Sequence, residues 1–288
     1  MSELTQTEMY SPVTHQAWNA LLSWLGFFYQ IFSQIIGSFS HYPLLSFSSH
    51  SSFNSIHIID HDSDLQISDD DDDDADDRQK LQKLTVVLDL DETLICAYET
   101  SSLPDALKTQ AIEAGLNWFE LECVFPTKEA DGKPIINHVT VFERPGLKEF
   151  LRQLSEFADL VLFTAGLEGY ARPLVDRIDT ENLFSLRLYR PSTISTGYRE
   201  HVKDLECISE DLCHIVIVDN NPCSFLLQPH NGIPCVPFSA TQPHDTQLLD
   251  VILPLLKQLS DQKDVRHLLY EKYHMPEWFQ QHGIPVPS

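Results

Sequence analysis

The segment LTVVLDLDETL, residues 84–94, constrains this chain more than any other stretch. LTVVLD is a short, β-branched apolar run without polar alternation, the pattern of a strand covered on both faces, as in a parallel sheet. Asp89 and Asp91 then crowd its carboxyl end, and Thr93 follows. In open α/β sheets, ligands bind where the strands end. Two carboxylates crowded there are costly to ionise together unless a cation neutralises them. A hard divalent ion with oxygen ligands, Mg²⁺, is the natural partner. One Asp at a strand end is most often a turn or cap residue; the pair behind a continuous apolar strand argues for a site.

Other segments share this character. ADLVLFT (158–164) and HIVIVD (214–219) read as buried strands, and IPCVPF (233–238) as a weaker or edge strand, because Pro removes ladder donors. Helical patterns lie between them at 146–157, 169–178 and 244–260. The alternation predicts an α/β fold of βαβ units with a mostly parallel sheet. Residues 119–145 depart from it and read as two strands around Asp131-Gly132, a small antiparallel β-hairpin insertion.

Three more strand-end or loop features carry chemistry. LVLFTAG places Thr164 just past an apolar run, followed by small residues that let backbone N–H groups approach an anion. HVKDL sets Lys203 beside Val202 and Leu205, a partly buried setting for a residue that is ordinarily solvated. VIVDNNP ends a strand in Asp219 and Asn220, whose oxygens can complete a Mg²⁺ shell, with Pro222 opening a helix.

The stretches VVLDLDETLI, FERPGLKEFL, LVLFTAG, HVKDL and IVIVDNNP resemble, in order and spacing, the haloacid-dehalogenase (HAD) superfamily of phosphotransferases. Within it the likeness is to the CTD-phosphatase-like branch (FCP/SCP, or NLI-interacting-factor-like, phosphatases), and most of all to its plant members. The resemblance implies a HAD-like Rossmannoid core with helices on both faces. It implies Asp89 as nucleophile forming an aspartyl-phosphate and Asp91 as the acid that protonates the leaving Ser or Thr oxygen. Mg²⁺ would be held by Asp89, the Asp91 carbonyl, Asn220 and Asp219; Thr164 and Lys203 would hold phosphate oxygens, with Arg190 near substrate. Thr93 would order the turn. The family usually has Ser where this chain has Gly166 and Asn221, departures that bear on the fine contacts to phosphate.

The 38 residues between Thr164 and Lys203 leave no room for a large cap domain, which favours a phosphoprotein substrate over a small metabolite. The expected activity is a Mg²⁺-dependent protein serine/threonine phosphatase, with RNA polymerase II C-terminal-domain-like phosphopeptides the family-level substrate. The alternatives are a catalytically weak scaffold and a membrane-associated binding module.

Charge sets the remaining limits. The net charge of −24 argues against nucleic acid as a direct partner. Residues 1–77 hold 13 acidic and no basic residues, leaving the remainder at −11. The six scattered cysteines include no C-x-x-C pair, and free thiols in a reducing compartment are expected. No basic n-region suggests a secretory signal, so the nucleus or cytoplasm is expected. Residues 18–37 form an uncharged apolar segment at helical spacing, read as a membrane span, an interfacial helix or a helix docked on its own domain or a partner. Residues 68–77 read as a disordered acidic linker. The expected organisation is an N-terminal region (1–79), a phosphatase-like domain (80–275) and a C-terminal tail (276–288) whose Trp278 and Phe279 pack back on the domain or dock a partner.

Overall fold

The computed structural model describes residues 83–128 and 134–285. All belong to the second of two units into which the chain divides, Met1–Asp76 and Asp77–Ser288. The apolar segment 18–37, the acidic run 68–77 and the Asp131-Gly132 turn lie outside the described residues.

Five parallel strands form the main sheet: β1 (Leu84–Leu88), β5 (Ala158–Phe163), β6 (Phe184–Leu188), β7 (Ile215–Asp219) and β8 (Gly232–Pro234). Their order is β6-β5-β1-β7-β8. Central β1 registers Leu88 against Leu162 of β5 on one side and Val218 of β7 on the other. Alternating side chains divide between two cores, as a doubly covered sheet requires. Leu84, Val86, Leu88, Leu160, Leu162, Val216 and Val218 enter the larger core, while Val87, Val161, Phe163, Ile215 and Ile217 enter the other.

Helices α2 (Leu147–Ser155), α3 (Glu168–Ile178), α4 (Leu253–Ser260) and α5 (Val265–Tyr273) supply apolar side chains to the larger core. Gly146, at φ +80°, opens α2 where a Cβ would come within 2.6 Å of Leu249, so only glycine lets the helix dock there. The second face is covered differently. Short 3-10 turns carry Leu205, Phe225 and Leu226 onto it, and α6 (Met275–Gln281) adds Met275 and Phe279. Pro222 opens one such turn, Pro222–Phe225, where the sequence predicted a helix. The Phe225 ring lies against Gly232 of β8, where any Cβ would collide at 2.1 Å, and the chain turns back into the sheet at once.

The insertion is larger than the predicted hairpin. β3 (Trp118–Lys128) and β4 (Pro134–Glu143) pair antiparallel, and β2 (Ile95–Glu99) joins β4 as a third strand. Helix α1 (Asp105–Glu113) links β2 to β3. Register Ile95↔Glu143 pairs the start of β2 with the end of β4, and the Arg144 N–H donates to Leu94 O at 3.0 Å, tying this sheet to the turn that leaves β1.

Phe279 is wholly buried and meets Phe225 edge-to-face with ring centroids 6.4 Å apart. Phe279→Ala should lower the unfolding free energy by about 3–5 kcal/mol. Guanidinium denaturation checks this; a loss near zero would mean that α6 does not close the second core.

Candidate active site

The parallel strands deliver their ends to one edge. Asp89 follows β1, Asp219 closes β7, and the Asp89 N–H donates to the Val218 carbonyl at 3.1 Å, so the two carboxylates neighbour each other. Lys203 lies between them. Its Nζ is 2.5 Å from Asp89 Oδ1 and 2.7 Å from Asp219 Oδ2, and the side chain is only 1% exposed. Sequence reading predicted a partly buried lysine; the flanking Val202 and Leu205 are themselves fully buried and carry it under the surface. The Lys203 N–H donates to Ser224 O at 2.7 Å, fixing this segment beside the 3-10 turn after β7.

The electrostatics are tightly opposed. Burial disfavours the Lys203 ammonium, yet Asp219 and Asp89 outweigh it and hold the amine above its ordinary value. Burial and the Asp89 charge push the Asp219 carboxyl up, against the pull of Lys203.

Thr93 orders the turn. Its hydroxyl donates to Asp89 Oδ2 at 2.9 Å and accepts from the Asn220 N–H at 3.2 Å, joining the loops after β1 and β7. Glu92, in a left-handed conformation at φ 59°, accepts from Asn220 Nδ2 at 3.1 Å and so sets the orientation of that amide. Arg144, at the end of β4, is fully buried beneath the same turn. Its guanidinium makes two 2.8 Å bonds to Asp245 and donates to Thr93 O at 3.0 Å and Val236 O at 2.9 Å. This role has no local mark in the sequence, because Asp245 lies about a hundred residues further along the chain.

Asp91 points toward α3, where the Tyr170 hydroxyl donates to its Oδ1. Burial pushes the Asp91 carboxyl up to about 6, opposed by the Tyr170 hydrogen bond and reinforced by the Asp89 charge. Tyr170 was not singled out from the sequence. The available signal was its place in the first turn of the helix that follows Thr164, which directs a long side chain back over the strand ends.

Thr164 is buried at the end of β5, next to β1, and its Oγ1 accepts from the Gly166 N–H at 2.9 Å. Arg190 stands one strand further out, exposed, at the end of β6; its Nε donates to Ala165 O at 2.6 Å and its N–H to Gly166 O at 3.0 Å. The structure therefore joins Asp89, Lys203, Asp219, Thr93 and Asn220 in one hydrogen-bonded cluster. Asp91 follows on the same loop, while Thr164 and Arg190 belong to the neighbouring strand ends. Asn221 caps the following turn by accepting from the Cys223 N–H at 3.2 Å, so its departure from Ser has a local structural role. All six cysteines are free thiols.

Among the described residues, no group of three or more His, Cys, Asp and Glu side chains is arranged as a metal centre. The donors at this edge are two carboxylates, Asp89 and Asp219, with the amide oxygen of Asn220. An all-oxygen set of this hardness fits Mg²⁺ and not a thiolate- or imidazole-seeking ion. Asp89 and Asp219 share one ammonium, a balance that also favours a cation.

A Rossmann-type sheet with paired aspartates at the ends of its central strands places an acidic ligand site at the switch point of the sheet. Residues 84–266 match the family described as NLI interacting factor-like phosphatase. The chain belongs to that family. It is 35% identical over 191 residues to the human carboxy-terminal domain RNA polymerase II polypeptide A small phosphatase 1, covering 66% of this chain and 65% of the relative. It is 34% identical over 197 residues to the CTD nuclear envelope phosphatase 1 homolog of Drosophila melanogaster, covering 68% and 75%. The chain thus spans less than two thirds of the human relative's length. A solved structure of Fcp1, an essential RNA polymerase II CTD phosphatase, aligns at 23% identity with a TM-score of 0.44, covering 71% of this chain and 54% of that one.

Removing the Lys203 ammonium leaves two buried carboxylates facing each other. In metal-free buffer, Lys203→Met should lower the unfolding free energy by about 3–5 kcal/mol. The double variant Lys203→Met/Asp219→Asn should regain part of that loss. Equal stability of the single and double variants in chemical denaturation would show that Lys203 contributes packing alone.

Proposed function

We propose that this chain is a Mg²⁺-dependent protein serine/threonine phosphatase that works through an aspartyl-phosphate on Asp89. The observation that carries this reading is the Asp89 carboxylate itself, at a strand end with one oxygen on Lys203 and the other on Thr93. Its orientation is set before any substrate arrives, as a nucleophile for in-line attack requires.

In the first step an Asp89 oxygen forms a bond to phosphorus as the bond to the Ser or Thr oxygen breaks. The leaving oxygen keeps the electron pair and takes the Asp91 proton. Burial suits Asp91 to this, because a carboxyl raised to about 6 retains a proton more readily than an ordinary Asp. In the second step Asp91 takes a proton from water as the water oxygen bonds phosphorus, and the Asp89–phosphorus bond breaks to restore the carboxylate. Lys203 and Thr164 hold the non-bridging oxygens whose charge grows in the transition state, and Arg190 extends that positive edge. Mg²⁺, held by Asp89, Asp219, Asn220 and the Asp91 carbonyl, would offset repulsion between the nucleophile and the phosphate dianion.

Substrate size follows from the connections. The chain runs from Thr164 to Lys203 through α3, β6, a 3-10 turn and a single antiparallel bridge, Ile194↔Val202, with no separate cap domain. A site so uncovered suits a phosphorylated segment of another protein. The human relative's name supports RNA polymerase II tail repeats as the first peptides to try. A nuclear or cytoplasmic setting is in keeping with this substrate class. No helix among the described residues is long and apolar enough to cross a membrane. Residues 18–37 lie outside them, and their proposed membrane or partner contact is testable by fractionating a chain that lacks residues 1–40.

The test is hydrolysis of aryl phosphates and phosphoserine peptides by the full chain. Activity should disappear with EDTA, return with added Mg²⁺, and fall at least about 1,000-fold in Asp89→Asn. A folded wild type no faster than Asp89→Asn would replace the phosphatase reading with that of a scaffold.

A further inference from the structure

The hydrogen bond between α3 and Asp91 leads one step past this reading. Tyr170 is the third residue of α3. Its own N–H donates to Leu167 O at 3.0 Å, within the opening turn of the helix. Its carbonyl accepts from the Cys123 thiol of β3 at 3.8 Å, so the backbone behind the ring is tied to the insertion. The ring lies beside the segment that follows Thr164. A Cβ at Gly166 would stand 3.1 Å from Tyr170 Cδ1 and 3.2 Å from Thr164 Oγ1, closer than ordinary contacts. Gly166 therefore leaves room for the ring beside it. From there the phenol reaches Asp91 Oδ1.

We infer that Tyr170 is a positioning residue for the acid: its hydroxyl engages Asp91 Oδ1, so that Oδ2 is the oxygen that passes a proton to the leaving group. The inference rests on the phosphatase reading above and assigns a new part to a residue outside the catalytic set. Chemically, the hydrogen bond does two things. It selects one rotamer of Asp91, and it stabilises the carboxylate formed when the proton departs with the leaving oxygen. The benefit grows with the demand for that proton. A nitrophenolate leaves readily without protonation, whereas a methylphenolate or a serine alkoxide does not.

Leaving-group dependence therefore reads Tyr170 in a way that packing alone cannot imitate. The full chain is assayed with Mg²⁺ on 4-nitrophenyl, phenyl and 4-methylphenyl phosphate, esters of similar size. The quantity read is kcat/KM, which covers the steps up to departure of the alcohol. Tyr170→Phe keeps the ring and removes the hydroxyl. Its loss should be under about twofold on the nitrophenyl ester and rise to about tenfold on the methylphenyl ester, a fraction of the 100-fold or more that general acid catalysis contributes. Asp91→Asn should show the same trend more steeply, and Tyr170→Phe/Asp91→Asn should be no slower than Asp91→Asn alone, since the hydroxyl acts through that carboxyl. A uniform loss across the esters, no loss, or losses that add in the double variant would overturn the inference. Failure of Asp91→Asn itself to depend on the leaving group would instead remove Asp91 as the acid. A wild type without activity on any ester would remove the phosphatase reading beneath both.

Discussion

The ammonium of Lys203, set between Asp89 and Asp219, is the interaction on which the arrangement of this molecule depends. Two carboxylates at adjacent strand ends, both nearly excluded from water, cannot stay ionised side by side without a counter-charge. The chain brings that charge from a loop, and the loop reaches it because Val202 and Leu205 are drawn into the core on either side. Breaking one member of a buried charge cluster is far more costly than forming the cluster is favourable. The site is therefore better understood as a constraint that the fold satisfies than as a source of its stability. Burial above all, reinforced by the Asp89 charge, keeps Asp219 and Asp91 above their usual range.

Around that core, geometry is passed outward through further hydrogen bonds. Thr93 bonds both Asp89 and Asn220, so one hydroxyl fixes the Asp89 carboxylate relative to the loop after β7. Arg144 holds the Thr93 carbonyl from below while its other donors are taken up by Asp245, Val236 and Gln247. A buried guanidinium with this many partners fixes direction as well as charge, which an ammonium could not do. The antiparallel insertion contributes here too: β4 ends at Glu143 and delivers Arg144 to the underside of the turn. The insertion is thus a support for the acidic loop as much as an ornament on the sheet.

The parts of this design that were legible in the sequence are those governed by short-range rules. Runs such as LTVVL and IVIVD announce doubly covered strands, and a carboxylate directly after such a run falls at the ligand-binding end of the sheet. Asp89, Asp91, Thr164, Asp219 and Asn220 were read in this way, and Lys203 from the apolar residues beside it. What was missed depends on long-range pairing. ICAYE is too short and too mixed to declare itself as β2, and it becomes a strand because β4 offers its edge. Arg144 finds its partners in residues 93 and 236–247, and Tyr170 finds Asp91 across the gap between two strand ends. Val202 and Leu205 marked Lys203 as partly buried, but its full depth comes from the packing of those neighbours in the folded core. The 3-10 turn at Pro222 replaces a helix because Phe225 must reach Gly232 within a few residues.

The sheet order explains why the acidic pair sits where it does. From β1 the chain moves outward through β5 and β6, then crosses back and moves the other way through β7 and β8. The connections leaving β1 and β7 therefore diverge to opposite sides, and a crevice opens between their ends, the switch point of a doubly wound sheet. Asp89 and Asp219 are the residues placed on its two rims. A position elsewhere along the sheet would have been covered by a crossover and closed to any ligand. The divergence also makes the crevice the one place where loops from both halves of the chain can meet. Thr93 and Glu92 come from the first half, while Lys203 and Asn220 come from the second. A site assembled from both halves exists only when the whole sheet has formed, so the chemistry is tied to completion of the fold.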